Sequence, residues 1–372
     1  MRMPAVRAPV VGLDIDRGAV KAVQISQGDG GYMLRHVGYR KLPMGAVANG
    51  EVADHDLLAS ELTEFWASHS FKGKAVYLGV ANQKVVVRLL DFPRMSPEDL
   101  RGAIRFEAQD HIPIPLEEAV VDHVVLGPQS EKSDLDRVLI VAAQREMISR
   151  YSSVIRAAGL RPEGIDVKAL SLVRSILPNA LVDEEGAILL LDVGSEITNL
   201  VVTQGGNPTL TRFIPGGSDY LAQAVAEACD LPEEEAEKQL MNPKVKIGLE
   251  AEMEYEGWEA AEEDDEFDPA FIYDIRQGLE DAVQVLAEDV QRSIEYHYSQ
   301  PGSKGVTRVF VSGEGALVNG FDAYLGDLLG VATQRGAPLR KLAGNKSNVP
   351  DEQLRVMEPV LAVALGLALE EA

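Results

Sequence analysis

At 372 residues the chain is long enough for about two or three domains and a large buried core. Its formal charge of −24 disfavours nucleic acid and anionic lipid surfaces as main partners. The single cysteine, Cys229, excludes an intrachain disulfide and a cysteine-rich metal site, and reads as a small buried apolar residue in a reducing compartment. No stretch reaches the roughly 18 apolar residues of a membrane span, so direct membrane insertion is not expected. The N-terminal MRMPAVRAPVV lacks the long apolar run of a signal peptide.

In chain order, VVGLDI, AVKAVQI and GYMLRHVGYRKL are separated by DRG and QGDGG, which predicts an antiparallel meander. DHDLLASELTEFWASH has helical spacing, with Asp54 or Asp56 available as its cap. KAVYLGVANQKVVVRLLDFP returns to strand and ends at Pro93. A second helix then starts with Ser96 as N-cap, Pro97 at its first position and Asp99 in its first turn. IPIPLEEAVVDHVVLG is extended, DRVLIVAAQ is a buried-type strand, and REMISRYSSVIRAAGL is an amphipathic helix. This packet, about 95 to 165, reads as a subdomain inserted into the first domain.

The opening pattern then recurs. AILLLDVGSEITNLVVTQGGNPTLTRFIPGG is again an apolar strand, an Asp-led turn, a second apolar strand, a Gly-rich turn and a third strand. Asp192 aligns with Asp14, each ending an apolar strand, so the chain is an internally duplicated α/β protein. A helix to about 230 follows, then the acid-rich PEEEAEKQL and EAEMEYEGWEAAEEDDEFDPAF, which read as a solvated insertion without calcium-loop spacing. A long helix is expected from about 271 to 299, with Ile275, Leu279, Val283, Leu286, Val290 and Ile294 on one face. RVFVSGEGALVNGFDAYLGDLLG closes this half as strand, Gly turn and helix, and EPVLAVALGLAL reads as a buried C-terminal helix.

Two tight hairpin turns facing each other can offer backbone N–H nests to phosphate. Magnesium keeps most of its waters and is held through one or two carboxylates, a role open to Asp14 and Asp192. Lys21 lies on the strand face of Val23 and Ile25 and is either directed toward phosphate or an edge-strand lysine. The six histidines have no metal-ligand spacing.

These elements resemble the phosphate-1, phosphate-2 and adenosine motifs of the actin-like ATPase superfamily. More narrowly, AIRFEAQDHIPIPLEEAVVDHVVL, LLLDVGSEITNLVV, RFIPGGSDY and EPVLAVALGLAL resemble the PilM family of type IV pilus assembly, related to FtsA, in order and spacing over nearly the whole chain. The resemblance implies a bilobed actin-like fold of duplicated RNase H-like domains with an inserted α/β subdomain. The expected divisions are 10–94 plus 166–186, the insertion 95–165, a second subdomain 187–231 plus 270–350, an acidic insertion 232–269, and a C-terminal segment 351–372 packing back on the first lobe. It also implies ATP and Mg2+ in the interlobe cleft. The site residues would be Asp14, Asp16, Arg17, Gly18, Lys21, Asp192, Gly194, Ser195, Thr198, Asn199, Gly216, Gly217, Gly313, Glu314 and Gly315, with Asp14 and Asp192 on the metal. The implied partner is the N-terminal cytoplasmic peptide of a PilN-like inner-membrane protein, alongside other pilus components, at the cytoplasmic face of the membrane. The strand KVVVRLLDFP and the helix at 97–110 are the expected wall of its groove.

The motifs depart from the family at three positions. Asp16 and Arg17 replace Gly and Ser of the phosphate-1 turn, and Glu314 interrupts the glycines of the adenosine turn. A carboxylate facing phosphate at about 4 Å costs on the order of several kcal/mol at an effective dielectric near 20. Arg17 either offsets this by contacting phosphate or pairs with Asp16, while Glu314 crowds the base or ribose. With no general base in view, weak or absent ATP hydrolysis is expected. The alternative is an active ATPase or small-molecule kinase on the same fold.

Overall fold

The computed structural model describes residues 10–28, 30–129, 133–182, 185–248 and 269–370; the acid-rich stretch 249–268 lies outside them. Strands β1 (Val11–Ile15), β2 (Ala19–Gly28) and β3 (Gly31–Lys41) form an antiparallel meander. A two-stranded ribbon, β4 (Val47–Ala48) and β5 (Glu51–Val52), leads to α1 (His55–Ser68). Asp54 caps α1, its carboxylate accepting from the N–H groups of Asp56 and Leu57, while Leu58, Leu62 and Phe65 point into the core. Strand β6 (Ala75–Val80) then runs parallel to β1.

After a turn at Ala81–Lys84 the chain leaves this sheet. Strand β7 (Val85–Pro93), α2 (Pro97–His111), β8 (Ala119–Pro128) and β9 (Leu135–Gln144) build a separate three-stranded sheet, ordered β7-β9-β8, with a helix on one face. The Asp99 N–H donates to Ser96 Oγ, and the hydroxyl returns to the Asp99 carboxylate, fixing the start of α2. Val86 and Phe92 of β7 share a core with Leu100 and Ile104 of α2. Val85 and Val87, on the alternate face, join the core of the first lobe.

Two expected boundaries therefore move. The insertion begins at β7 rather than at 95, because the hydrophobic run of β6 and β7 is split between two sheets. It also ends early: α3 (Arg145–Ala157) buries Met147, Tyr151, Val154 and Ile155 in the first-lobe core, and β10 (Arg161–Val167) pairs with β6. β7 and α2 pack on each other and so belong to one side of any groove beside the inserted subdomain.

Helix α4 (Lys168–Ile176) crosses to the second lobe. There β11 (Ala187–Val193), β12 (Ile197–Gln204) and β13 (Asn207–Pro215) repeat the antiparallel meander. Helices α5 (Ser218–Cys229), α6 (Glu233–Gln239) and α7 (Pro269–Tyr298) follow. The buried stripe of α7 contains all six expected apolar positions, each contributing about 1.5–3 kcal/mol on burial. Strand β14 (Val306–Ser312) runs parallel to β11, and α8 (Phe321–Leu329) and β15 (Thr333–Arg335) complete the sheet, ordered β13-β12-β11-β14-β15. The same plan, a meander whose first strand takes a parallel partner, thus occurs twice.

The chain does not stay in the second lobe to 350. Strand β16 (Leu342–Asn345) pairs with β3, closing the first sheet as β10-β6-β1-β2-β3-β16. After α9 (Asp351–Met357), helix α10 (Ala362–Ala368) lies on α4 and on β1. A Cβ at Gly12 would stand 2.0 Å from the Ala364 carbonyl oxygen, so glycine alone allows this approach. Among the described residues, no helix is long and apolar enough to cross a membrane.

Candidate functional site

Strand β1 is buried along its whole length, so Asp14 near its end is 2% exposed. A buried carboxylate needs compensation, and Asp14 has two cations. Lys21, opposite it in the β1–β2 register, places Nζ 3.3 Å from Oδ2. Lys168, the first residue of α4, places Nζ 2.7 Å from Oδ1 and donates to the Ile15 carbonyl. Burial pushes the Asp14 carboxyl up, but Lys168 and Lys21 outweigh it and hold it below the usual range.

Lys21 is itself only 2% exposed, which excludes an edge-strand solubilising role. Its Nζ also lies 2.6 Å from Glu314 Oε1 of the second lobe. Burial opposes the ammonium form, yet Glu314 and Asp14 raise its pKa well above the ordinary value. Glu314 thus turns inward onto Lys21. The adenosine-turn glycines have a packing reason: a Cβ at Gly313 would meet Val193 O at 2.4 Å, and one at Gly315 would meet Val193 Cγ1 at 2.4 Å.

Asp192 is the second-lobe counterpart of Asp14, with Asn199 opposite it where the first lobe has Lys21. Asn199 Nδ2 donates to Asp192 Oδ2 at 3.1 Å, and Ser312 Oγ donates to Oδ1 at 3.0 Å. Neither partner is charged. Burial raises the Asp192 carboxyl to about 6; Lys21 works against the rise, and Asp14 and Glu314 add to it.

The two phosphate-type turns touch. The Asp16 carboxylate accepts from the Arg17 N–H at 2.8 Å and, across the cleft, from the Ser195 N–H at 3.2 Å. The Gly18 N–H donates to Ser195 Oγ at 3.1 Å. Arg17 does not form the expected pair with Asp16. Its guanidinium reaches into the second lobe, bonded to Asp219 and near Glu196 (3.6 Å) and Glu233 (3.9 Å). These groups, with Gly216 and Gly217, line a cleft of about 530 Å³. The corner before α5 is stitched to the second turn: Thr198 Oγ1 donates to Gly216 O, the Gly216 N–H to Glu196 O, and the Ser218 N–H to Gly194 O.

All fifteen expected site residues therefore cluster where the lobes meet, but several in unexpected roles. Lys168, Ser312, Glu196 and Asp219 were missed. Lys168 carried a signal, since a lysine in the first turn of a helix opposes the helix dipole and calls for an anionic partner. Ser312 is the residue opposite Asp192 in the parallel β11–β14 register.

The site fits a hydrated divalent cation and fits phosphate poorly. Glu314 Oε2 and Asn199 Oδ1 are buried without a hydrogen-bond partner, and Asp192 is uncompensated, which suits a magnesium ion held through its waters. Both Asp14 oxygens are already on lysines, so Asp192 is the better cation-facing acid. Among the described residues, no three His, Cys, Asp or Glu side chains are grouped to bind a metal directly. For phosphate, the Arg17, Gly18 and Ser195 N–H donors are already used, and three carboxylates surround the one guanidinium.

The family model for type IV pilus assembly protein PilM matches residues 12–372. The solved PilM-PilN type IV pilus biogenesis complex contains a chain 28% identical to this one, with TM-score 0.81 and 99% of each chain covered. Two further structures share the fold at lower identity. EutJ, the ethanolamine utilization protein of Carboxydothermus hydrogenoformans, is 15% identical, with TM-score 0.55 and coverage of 99% and 90%. ADP-bound MreB5 of Spiroplasma citri is 12% identical, with TM-score 0.55 and coverage of 98% and 96%. The fold is the bilobed actin-like ATPase fold, and the chain belongs to the PilM family of type IV pilus assembly proteins.

Proposed function

We propose that the chain is a cytoplasmic scaffold of type IV pilus assembly. It binds the N-terminal cytoplasmic peptide of a PilN-like inner-membrane protein and hydrolyses ATP little or not at all. The observation that carries this reading is the full-length likeness to the chain of the PilM-PilN complex. On β8, Val120 and Val124 are exposed beside Ala143 and Leu139 of β9, on the sheet face that joins the first-lobe core rather than the face covered by α2, which supports docking of an apolar peptide segment between the inserted subdomain and the first lobe.

Asp192, with Asn199 and Glu314 beside it, would hold a hydrated magnesium ion, and Lys21, Gly18, Ser195, Gly216 and Gly217 border the space a nucleotide would use. Bound MgATP would supply a polyanionic bridge between the lobes. Against turnover, Asp14, Glu314 and Asp219 are engaged by Lys168, Lys21 and Arg17, and Asp192, which lacks a charged partner, would be occupied with the magnesium ion rather than with activating water. Calorimetric titration with the PilN-type N-terminal peptide is expected to give one site per chain, and phosphate release from MgATP is expected to stay at background. No heat of binding overturns the partner, and steady phosphate release overturns the absence of hydrolysis.

A further inference from the structure

We infer that Asp16 is a built-in substitute for phosphate, which latches the two lobes together without nucleotide and competes with nucleotide for the same donors. A phosphate oxygen between two hairpin turns needs backbone N–H groups from both. The Asp16 carboxylate already takes one from its own turn, Arg17 N–H at 2.8 Å, and one from the opposite turn, Ser195 N–H at 3.2 Å. The Gly18 N–H is held by Ser195 Oγ at 3.1 Å. The turns are too close to admit a further group: a Cβ at Gly194 would lie 2.5 Å from Asp16 Oδ2, and one at Gly18 would lie 2.4 Å from Ser195 Oγ. A phosphate oxygen, which also needs about 2.7–3.2 Å to such donors, fits only when Asp16 leaves.

The other two departures from the family motif act in the same direction. Glu314 of the second lobe meets Lys21 of the first at 2.6 Å, and Arg17 of the first lobe bonds Asp219 of the second. All three altered residues therefore make bonds between lobes. A carboxylate tethered to the chain has a high effective concentration at these donors, so a free polyphosphate is at a disadvantage. This inference does not depend on which membrane partner the scaffold holds.

The test is calorimetric titration of the full chain with MgATP, in wild type, Asp16→Gly and Asp16→Asn, with melting followed in the absence and presence of MgATP. Asp16→Gly should bind MgATP at least tenfold more tightly than wild type. Its melting midpoint should fall without nucleotide and recover with it, whereas the wild-type midpoint should respond little. Asp16→Asn keeps an acceptor oxygen without its charge and should fall between the two, which keeps the idea testable if the glycine variant does not fold. Wild type binding MgATP as tightly as Asp16→Gly, or, if only Asp16→Asn folds, as tightly as Asp16→Asn, would overturn it. Peptide titrations on the same samples report the scaffold reading separately, because loss of peptide binding leaves the order of nucleotide affinities unchanged.

Discussion

The two hairpins share a plan and differ in how each compensates its buried aspartate. In the first, Asp14 is shared by Lys21 and Lys168 and its carboxyl sits below the usual range. In the second, Asp192 meets the neutral Asn199 and Ser312, and its carboxyl is raised to about 6. One hairpin holds its buried aspartate between two lysines, and the other holds its aspartate between two neutral partners. Equivalent backbone positions thus acquire opposite electrostatic characters from two residue differences: lysine against asparagine across the strand pair, and Lys168 against the neutral Ser312 on the other carboxylate oxygen.

The most direct way to break this contrast is to remove a cation from the first hairpin. Lys168→Met strips Asp14 Oδ1 of its partner and leaves charge buried beside α4. A loss of roughly 3–5 kcal/mol in urea unfolding is expected. Adding Asp14→Asn should return much of that loss, because the stranded charge goes with it.

Asp192 provides the opposite sign. Its folded-state pKa of about 6 lies above the ordinary 3.8, so ionised Asp192 costs stability above pH 6, and that cost disappears as the pH falls through 6 toward 3.8. Asp14 does not interfere, since its depressed pKa keeps its contribution intact until lower pH. Lys21 and Lys168, with raised pKa values, lose theirs only above the ordinary lysine range. Asp192→Asn should therefore stabilise the protein at pH 7.5 by about 1–3 kcal/mol, with the gain vanishing below about pH 4. Denaturant midpoints of both proteins at pH 7.5 and 4.0 check this. A magnesium-induced rise in midpoint should be present in wild type and absent in the variant.

Arg17 gives the smallest effect. Its side chain is 26% exposed among three acids that are themselves partly in water, so Arg17→Ala should cost no more than about 1 kcal/mol and lose that effect in high salt. A larger, salt-independent loss would show that the latch depends on Arg17 more than on Asp16.

Much of the fold was legible because its signals are local. The Asp54/Asp56 pair and Ser96 announced the starts of α1 and α2, the apolar spacing from Ile275 to Ile294 announced α7, and the Asp-led strands announced the repeat. The edges of the insertion were not legible. β6 and β7 read as equally apolar strands, and nothing within a strand states which sheet will accept its hydrogen bonds. Lys168 was overlooked because its partner Asp14 is 154 residues away, beyond any window in which sequence spacing carries meaning.

The sequence by itself determined the two hairpins, the aspartates at the ends of their first strands and the departures at Asp16, Arg17 and Glu314, since periodicity and residue type are properties of short segments. Only the tertiary structure decided what those departures do. Arg17 passes over Asp16 to reach Asp219, Glu314 turns to Lys21, and Asp16 accepts from the Ser195 N–H, because the energy of a buried charge depends on partners brought close by the packing of two lobes.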